Sequence, residues 1–230
     1  QQSRMDRLMA FTFPVPVTEF WDAIPLAQGS IFEPDEAMTV DRTGNGQVLG
    51  SSTGERLWAG TVTFGLTHAS RRRQAAAVLN ALRRPGHPFF CYDRKRAYPL
   101  ADPTGSILGA SVVTVLSAPE EDLSSMSLQG LPAGYVLTAS DLIGYSFGTS
   151  PVRYYLHELV EGVVANGMGE TGLIRITPFR SHAVTTGTAV SLIKPVMTAK
   201  YDPDSFSAGT GRSGGIESGR SFDFIQTLEY

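Results

Sequence analysis

The residues whose types could do chemistry are few and widely spread along the chain. The four histidines are His68, His87, His157 and His182, and no two of them have the i, i+4 spacing of a helical metal site. Glu158 follows His157, but adjacent strand residues point to opposite faces, so these two side chains do not converge on one substrate. Each histidine is therefore interpreted as a surface or hydrogen-bonded residue.

The single cysteine and the acidic residues give no stronger signal. Because Cys91 is the only cysteine, an internal disulfide and the usual structural zinc sites are both excluded. Its neighbours Phe89, Phe90 and Tyr92 predict a buried thiol, whose raised pKa makes it unreactive. The acidic run at 120–122 lacks the spacing of a calcium loop and is interpreted as a solvated turn.

Sequence motifs of common enzymes are absent as well. The chain has no GxSxG nucleophile motif, no phosphate-binding GxxxxGK[ST], and no GxGxxG between a strand and a helix. We therefore expect neither a catalytic site nor a cofactor or metal site, and the protein is predicted not to be an enzyme.

The most unusual cluster is the run of three arginines, Arg71, Arg72 and Arg73. They fall in the first turn of a predicted helix, where cations oppose the positive end of the helix dipole. One interpretation is a solvated face. The other is a contact with acidic groups of a partner, which makes these residues candidates for a subunit or partner interface.

The helix itself is predicted over 67–84, because apolar residues recur at i, i+3, i+4 and i+7. Pro85 and Gly86 end it. The preceding segment, 57–66, alternates in polarity and predicts a half-buried strand. We expect the apolar residues of strand and helix to pack together, namely Trp58, Val62, Phe64 and Leu66 with Val78, Leu79 and Leu82.

The remainder of the chain predicts short strands separated by turns. Asn-Gly pairs at 45–46 and 166–167 favour tight turns. The segment 202–220 holds five glycines and four serines and predicts a mobile loop. Strands are expected at 89–92, 107–116, 125–129, 142–147, 152–164, 173–177 and 189–193, and at the C-terminus over 221–230.

Composition agrees with a turn-rich, mainly β protein of 230 residues. Glycine and proline are abundant at 24 and 14 residues, and charged residues make up only 18%. The net charge of −3 disfavours a protein that grips nucleic-acid phosphates. No apolar run is long enough to span a membrane, and residues 1–11 do not have the pattern of a signal peptide.

Six short segments follow one another in a fixed order: ERLWAG at 55–60, LRRPG at 82–86, FFCYD at 89–93, YPLADP at 98–103, LQGLPAG at 128–134 and ITPFR at 176–180. Together they resemble tail proteins of long-tailed bacteriophages and prophages. More specifically, the chain is similar over about residues 20–195 to distal tail proteins, which form the ring between the tail tube and the tail tip. No functional residue is carried over by the resemblance.

The resemblance implies a ring-forming β-sandwich with one amphipathic helix, interrupted by an inserted small OB-like β-barrel. Residues 1–102 would form the first part of the sandwich, including the helix. The barrel would occupy 103–195. Residues 196–230 would contain the long Gly/Ser loop and a C-terminal strand that returns to the sandwich.

The implied function is that of a virion structural protein at the distal end of the tail, assembled in the host cytoplasm. Its expected partners are further copies in a homohexameric ring, the tail tube protein, the tail hub protein and tail fibres docked on the barrel. DNA would pass through the lumen without specific binding, and no membrane insertion is expected. Alternatives are another tail-tip, hub or tail-tube component, a carbohydrate-binding module with exposed Tyr or Trp pairs, and a hydrolase.

Overall fold

The structure, a computed structural model, describes residues 12–25, 30–65, 69–84, 86–212 and 216–229. In these residues it contains one α-helix and seventeen strands, most of them short. The elements are β1 (Ile31–Pro34), β2 (Met38–Arg42), β3 (Val48–Ser52), β4 (Trp58–Thr63), α1 (Ala69–Leu82), β5 (Phe89–Cys91), β6 (Thr114–Ser117), β7 (Ser125–Gln129), β8 (Val136–Leu137), β9 (Leu142–Phe147), β10 (Arg153–Leu159), β11 (Val163–Val164), β12 (Ile174–Thr177), β13 (Val190–Ser191), β14 (Met197–Tyr201), β15 (Thr210–Arg212), β16 (Ile216–Ser218) and β17 (Ser221–Gln226).

Strands from both halves of the chain form one five-stranded antiparallel sheet in the order β1-β4-β17-β14-β5. The C-terminal strand β17 lies in its centre, paired with β4 on one side and β14 on the other. Alternation of Phe222 and Phe224 with polar residues places both rings on the inner face, where they are buried. The prediction that the C-terminal strand joins a sheet is therefore confirmed.

The inner face of this sheet is covered by three parts of the chain. Residues 15–24 contribute Phe20 and Trp21, and α1 contributes Leu79 and Leu82. Trp58, Val62 and Phe64 belong to the same buried core as the helix residues, in agreement with the expected packing, while Leu66 lies outside the described residues. Two residues of the second sheet, Leu142 and Leu156, also belong to this core.

The second sheet has six strands in the order β13-β9-β10-β12-β7-β6 and is nearly closed into a barrel. Backbone hydrogen bonds join its two edges, from Val115 N–H to Thr188 O at 2.9 Å and from Val190 N–H to Val113 O at 2.9 Å. Closure matters because an open edge strand leaves unpaired donors and acceptors. Apolar side chains from these strands, among them Val115, Met126 and Ile143, fill the interior.

The predicted fold class, mainly β with one helix and a small barrel, is confirmed. The barrel has six strands, one more than an OB-fold. The predicted helix is present two residues shorter at each end. The division of the chain at 102 and 195 stays a prediction, although β5 and β14, which flank the barrel, pair with each other.

The segment 202–220 has more regular structure than the expected loop. A 3-10 helix spans Pro203–Ser205, with the Asp202 carboxylate accepting from the Asp204 N–H. Strands β15 and β16 then form a short antiparallel hairpin. Backbone pairing of this kind needs no apolar side chains, which is why Gly/Ser-rich composition concealed it.

Candidate functional site

The β2–β3 hairpin projects from the sheet and is the least covered part of the described chain. Thr43, Asn45 and Gly46 form its turn, with Gly46 at φ +86°, so the Asn-Gly turn prediction is confirmed. Every residue of β2 and β3 is exposed. Large apolar side chains are among them, with 50 to 58% of their surface accessible: Met38, Val40, Val48 and Leu49.

A cleft of about 580 Å³ separates the hairpin from the barrel. Met38 lines one wall, and Leu123 and Phe179 of the barrel line the other. Charged residues at its margin are already paired. The Arg56 guanidinium lies 2.8 Å from Glu36, and the Tyr155 hydroxyl donates to Glu55 at 2.8 Å.

The arginine run lies in the first turns of α1, as predicted, and no acidic residue accompanies it in the first turn. Arg73 is exposed. The side chains of Arg71 and Arg72 lie outside the described residues. The candidate interface at Arg71, Arg72 and Arg73 therefore stays a prediction.

His157 is completely buried in the barrel wall. Its Nδ1 lies 2.7 Å from the Pro178 carbonyl, which can only accept, so Nδ1 carries the proton. Its Nε2 then accepts from the Tyr145 hydroxyl at 2.8 Å. Burial lowers the pKa of His157 to about 4, and the positive charge of Arg180 also lowers it. With both nitrogens engaged, His157 is a structural hydrogen-bonding residue rather than a general base.

The expected separation of His157 and Glu158 is confirmed. Glu158 lies on the other face of β10, with its carboxylate 3.2 Å from the guanidinium of Arg96. Arg96 also pairs with Asp93 at 2.7 Å and donates to the Phe32 carbonyl of edge strand β1. This group holds barrel and sheet together.

Arg180 carries a buried charge whose donors are satisfied by backbone carbonyl groups. Only 3% of its surface is accessible. Its Nε donates to Ser125 O at 2.9 Å, and its Nη2 donates to the carbonyl groups of Pro119 and Asp122. The side chain thereby fixes the loop between β6 and β7. This role is not visible in the sequence, because an arginine in a strand-and-turn region gives no signal of burial.

Cys91 and Asp102 have structural roles. Cys91 is fully buried, and burial raises its thiol pKa, as predicted. Burial would raise the pKa of Asp102, but N–H donors of Leu108 and Ile107 and the Tyr135 hydroxyl outweigh it and hold the pKa below its usual range. The acidic residues 120–122 are exposed.

The aromatic pair at 154–155 does not form a sugar-binding platform. Tyr155 is only 6% accessible and stacks with Phe147 and His157. Tyr154 packs edge-on against Phe90, with ring centroids 4.9 Å apart. Because the two tyrosines are adjacent in β10, their rings lie on opposite faces of the strand.

Within the described ranges, no group of three or more His, Cys, Asp or Glu is arranged to hold a metal ion. A search of the same residues for a helix long and apolar enough to cross a membrane finds none. In comparisons with known proteins, no family model and no curated protein matches the chain.

Proposed function

We propose that the protein is a virion structural protein that forms the distal ring of a long phage tail. The ring joins the tail tube protein to the tail hub protein and leaves a lumen for DNA. The subunits would act mechanically, as a homohexamer at the distal end of the virion tail, assembled in the host cytoplasm and without catalysis.

The observation that carries the proposal is the architecture. A helix-covered sheet is completed by the C-terminal strand β17, and a barrel interrupts it between β5 and β14. The same arrangement is implied by the resemblance to distal tail proteins. The exposed apolar hairpin adds physical support, since such surfaces mark contact sites.

Negative-stain images of the purified protein test the proposal. Rings with six-fold symmetry are expected. Compact monomers that bind a glycan would contradict it and favour a carbohydrate-binding module. Another tail-tip, hub or tube component would differ from the proposed ring in its stoichiometry and in its position along the tail.

The arginine run offers a second test. Replacing Arg71, Arg72 and Arg73 with Gln should stabilise the isolated subunit slightly, since the helix dipole no longer opposes them. Assembly should weaken, more visibly at low salt, because each exposed ion pair is worth roughly 0–1 kcal/mol and is screened. Thermal melts and sedimentation at two salt concentrations measure both effects, with Arg175→Gln on the barrel as control. Unimpaired assembly at low salt would leave the arginines as a solvated face.

A further inference from the structure

The hairpin has one apolar and one mostly polar face. Val40 pairs with Gly50, and Arg42 pairs with Val48, so cross-strand partners place these residues on the face that also carries Met38. Met38, Val40 and Val48 are 53, 54 and 58% accessible. The opposite face carries Thr39, Asp41, Leu49 and Ser51.

Nothing in the described chain covers the outer half of this apolar face. The hairpin is fastened at its base, where Thr53 N–H donates to Ala37 O at 2.9 Å and Arg56 pairs with Glu36. A two-stranded hairpin alone is marginally stable in water. Burial of its apolar face against another surface would both stabilise it and remove the patch from water.

The outer face of the five-stranded sheet is a second uncovered surface. Ile31, Thr61 and Asp223 form one row across β1, β4 and β17, and Glu33, Ala59 and Ile225 form the next. Ile31 and Ile225 are 51 and 40% accessible. Along these rows runs a groove of about 580 Å³.

The groove is acidic at its margin. Four carboxylates line it, from Glu33, Asp35, Asp202 and Asp223, and among the residues that the structure describes no lysine or arginine does. Lys200 of β14 is the backbone partner of Ile225 and therefore lies beside the groove. Its Nζ, however, donates to the Glu229 carbonyl at 3.2 Å. The groove therefore has an apolar floor and a negative rim, which match the apolar strip and the adjacent Arg42 of the hairpin.

We propose that the hairpin of one copy docks the outer half of its apolar face, Val40 and Val48, into this groove of a second copy, with Arg42 directed to the carboxylates. The hairpin cannot dock into the groove of its own molecule, because its face at Met38 is turned toward the barrel residues Leu123 and Phe179. Two different surfaces make a heterologous contact, which closes into a ring when the rotation permits. The inference rests on the proposed function for its ring geometry, but the contact can be tested without it.

The first test removes each apolar surface in turn. One variant carries Val40→Thr and Val48→Thr, which keep β-branched shape, and the other carries Ile31→Thr and Ile225→Thr. Sedimentation velocity should show association at least about tenfold weaker for each, because apolar burial is lost. The matched control is Leu49→Thr on the opposite hairpin face, which should associate as the unchanged protein does.

Mixing the two variants tests the heterologous geometry. Each keeps one intact surface, so an equimolar mixture should yield dimers and nothing larger. A further variant, Arg42→Glu, places like charge against the groove and should weaken association at low salt, with a smaller effect at high salt. Arg42 is exposed, so folding is not at issue.

The outcomes separate this contact from the ring function. Normal rings from both threonine variants, or from Arg42→Glu at low salt, would overturn the docking and leave the ring function standing. The docking would also be overturned if Leu49→Thr were the only variant that lost association. Open filaments that the Val40→Thr, Val48→Thr variant abolishes would support the docking and contradict a closed ring. Monomers of the unchanged protein at all concentrations would contradict both.

Discussion

The sheet core and the barrel core are stabilised by different kinds of interaction. In the sheet, buried aromatic rings contact one another, as Phe20 does with Phe89 at 5.2 Å and Trp21 with Phe224 at 5.5 Å. In the barrel, aliphatic residues and the rings of Tyr145 and Tyr155 surround buried polar groups that depend on hydrogen bonds, above all His157 and Arg180.

The difference separates two sources of stability. Burial of apolar area is independent of pH and is lost in proportion to the atoms removed. A buried polar group contributes only while its partners are in place, and it costs free energy once they are removed. The sheet should therefore respond to changes of side-chain volume, and the barrel should respond to pH and to the loss of single donors.

The largest expected effect is that of Leu79→Ala in the sheet core. Leu79 is 1% accessible, so its truncation leaves a cavity and should lower the free energy of unfolding by about 2–5 kcal/mol. Chemical denaturation measures the change. Asn80→Ala, at an exposed position of the same helix, should change it by no more than about 0.5 kcal/mol. An unchanged midpoint of denaturation for Leu79→Ala would contradict the placement of α1 in the core.

The next effect is a pH dependence that belongs to the barrel. The pKa of His157 is about 4 in the folded protein and near 6.5 in the unfolded chain, so the unfolded state binds the proton first. The stability contributed by neutral His157 is present above pH 6.5 and is lost as the pH falls toward 4. The loss should reach roughly 3 kcal/mol at pH 4.

His157→Gln separates this titration from the other acid-sensitive groups. An amide can donate to Pro178 O and accept from Tyr145 without changing charge in this range. Denaturation series at pH 7, 5.5 and 4 should show a shallower decline for the variant. Parallel declines for the two proteins would mean that His157 does not govern the acid sensitivity.

A smaller loss is expected from Arg180→Met, which keeps much of the side-chain volume but removes the donors. The carbonyl groups of Pro119, Asp122 and Ser125 lose this partner, and the free energy of unfolding should fall by about 2 kcal/mol. Arg175→Met is the matched control, since Arg175 is exposed on the neighbouring strand. Equal melting temperatures for the two variants would assign no structural role to the buried charge.

The sequence predicted best where apolar runs are bounded by turns. The strands at 125–129 and 142–147 have the predicted bounds. The strand expected at 107–116 begins only at Thr114, because the Asp102 carboxylate accepts from Ile107 and Leu108 N–H and holds that segment in turns. Such a contact depends on folded geometry and has no signature in local periodicity.

Some surface features could likewise be predicted from the sequence, and others could not. The charge of the arginine run is visible in sequence, and the Asn-Gly pair located the turn between β2 and β3. The apolar character of one hairpin face could have been found from the alternation of Met38 and Val40. Its exposure could not, because exposure depends on which other elements fail to cover it.

The pairing of β5 with β14 has a consequence for how such a gene could change. The chain leaves the sheet after Cys91 and re-enters at Met197, and these two residues are direct partners across the ladder. A different domain in place of the segment between Cys91 and Met197 could therefore be joined to the sheet at two adjacent points. The Trp58 indole N–H donates to Leu156 O at 2.6 Å, and Leu142 and Leu156 complete the sheet core. A domain exchanged by recombination would thus complete the sheet core only if it supplied an equivalent acceptor for Trp58 and an equivalent apolar pair.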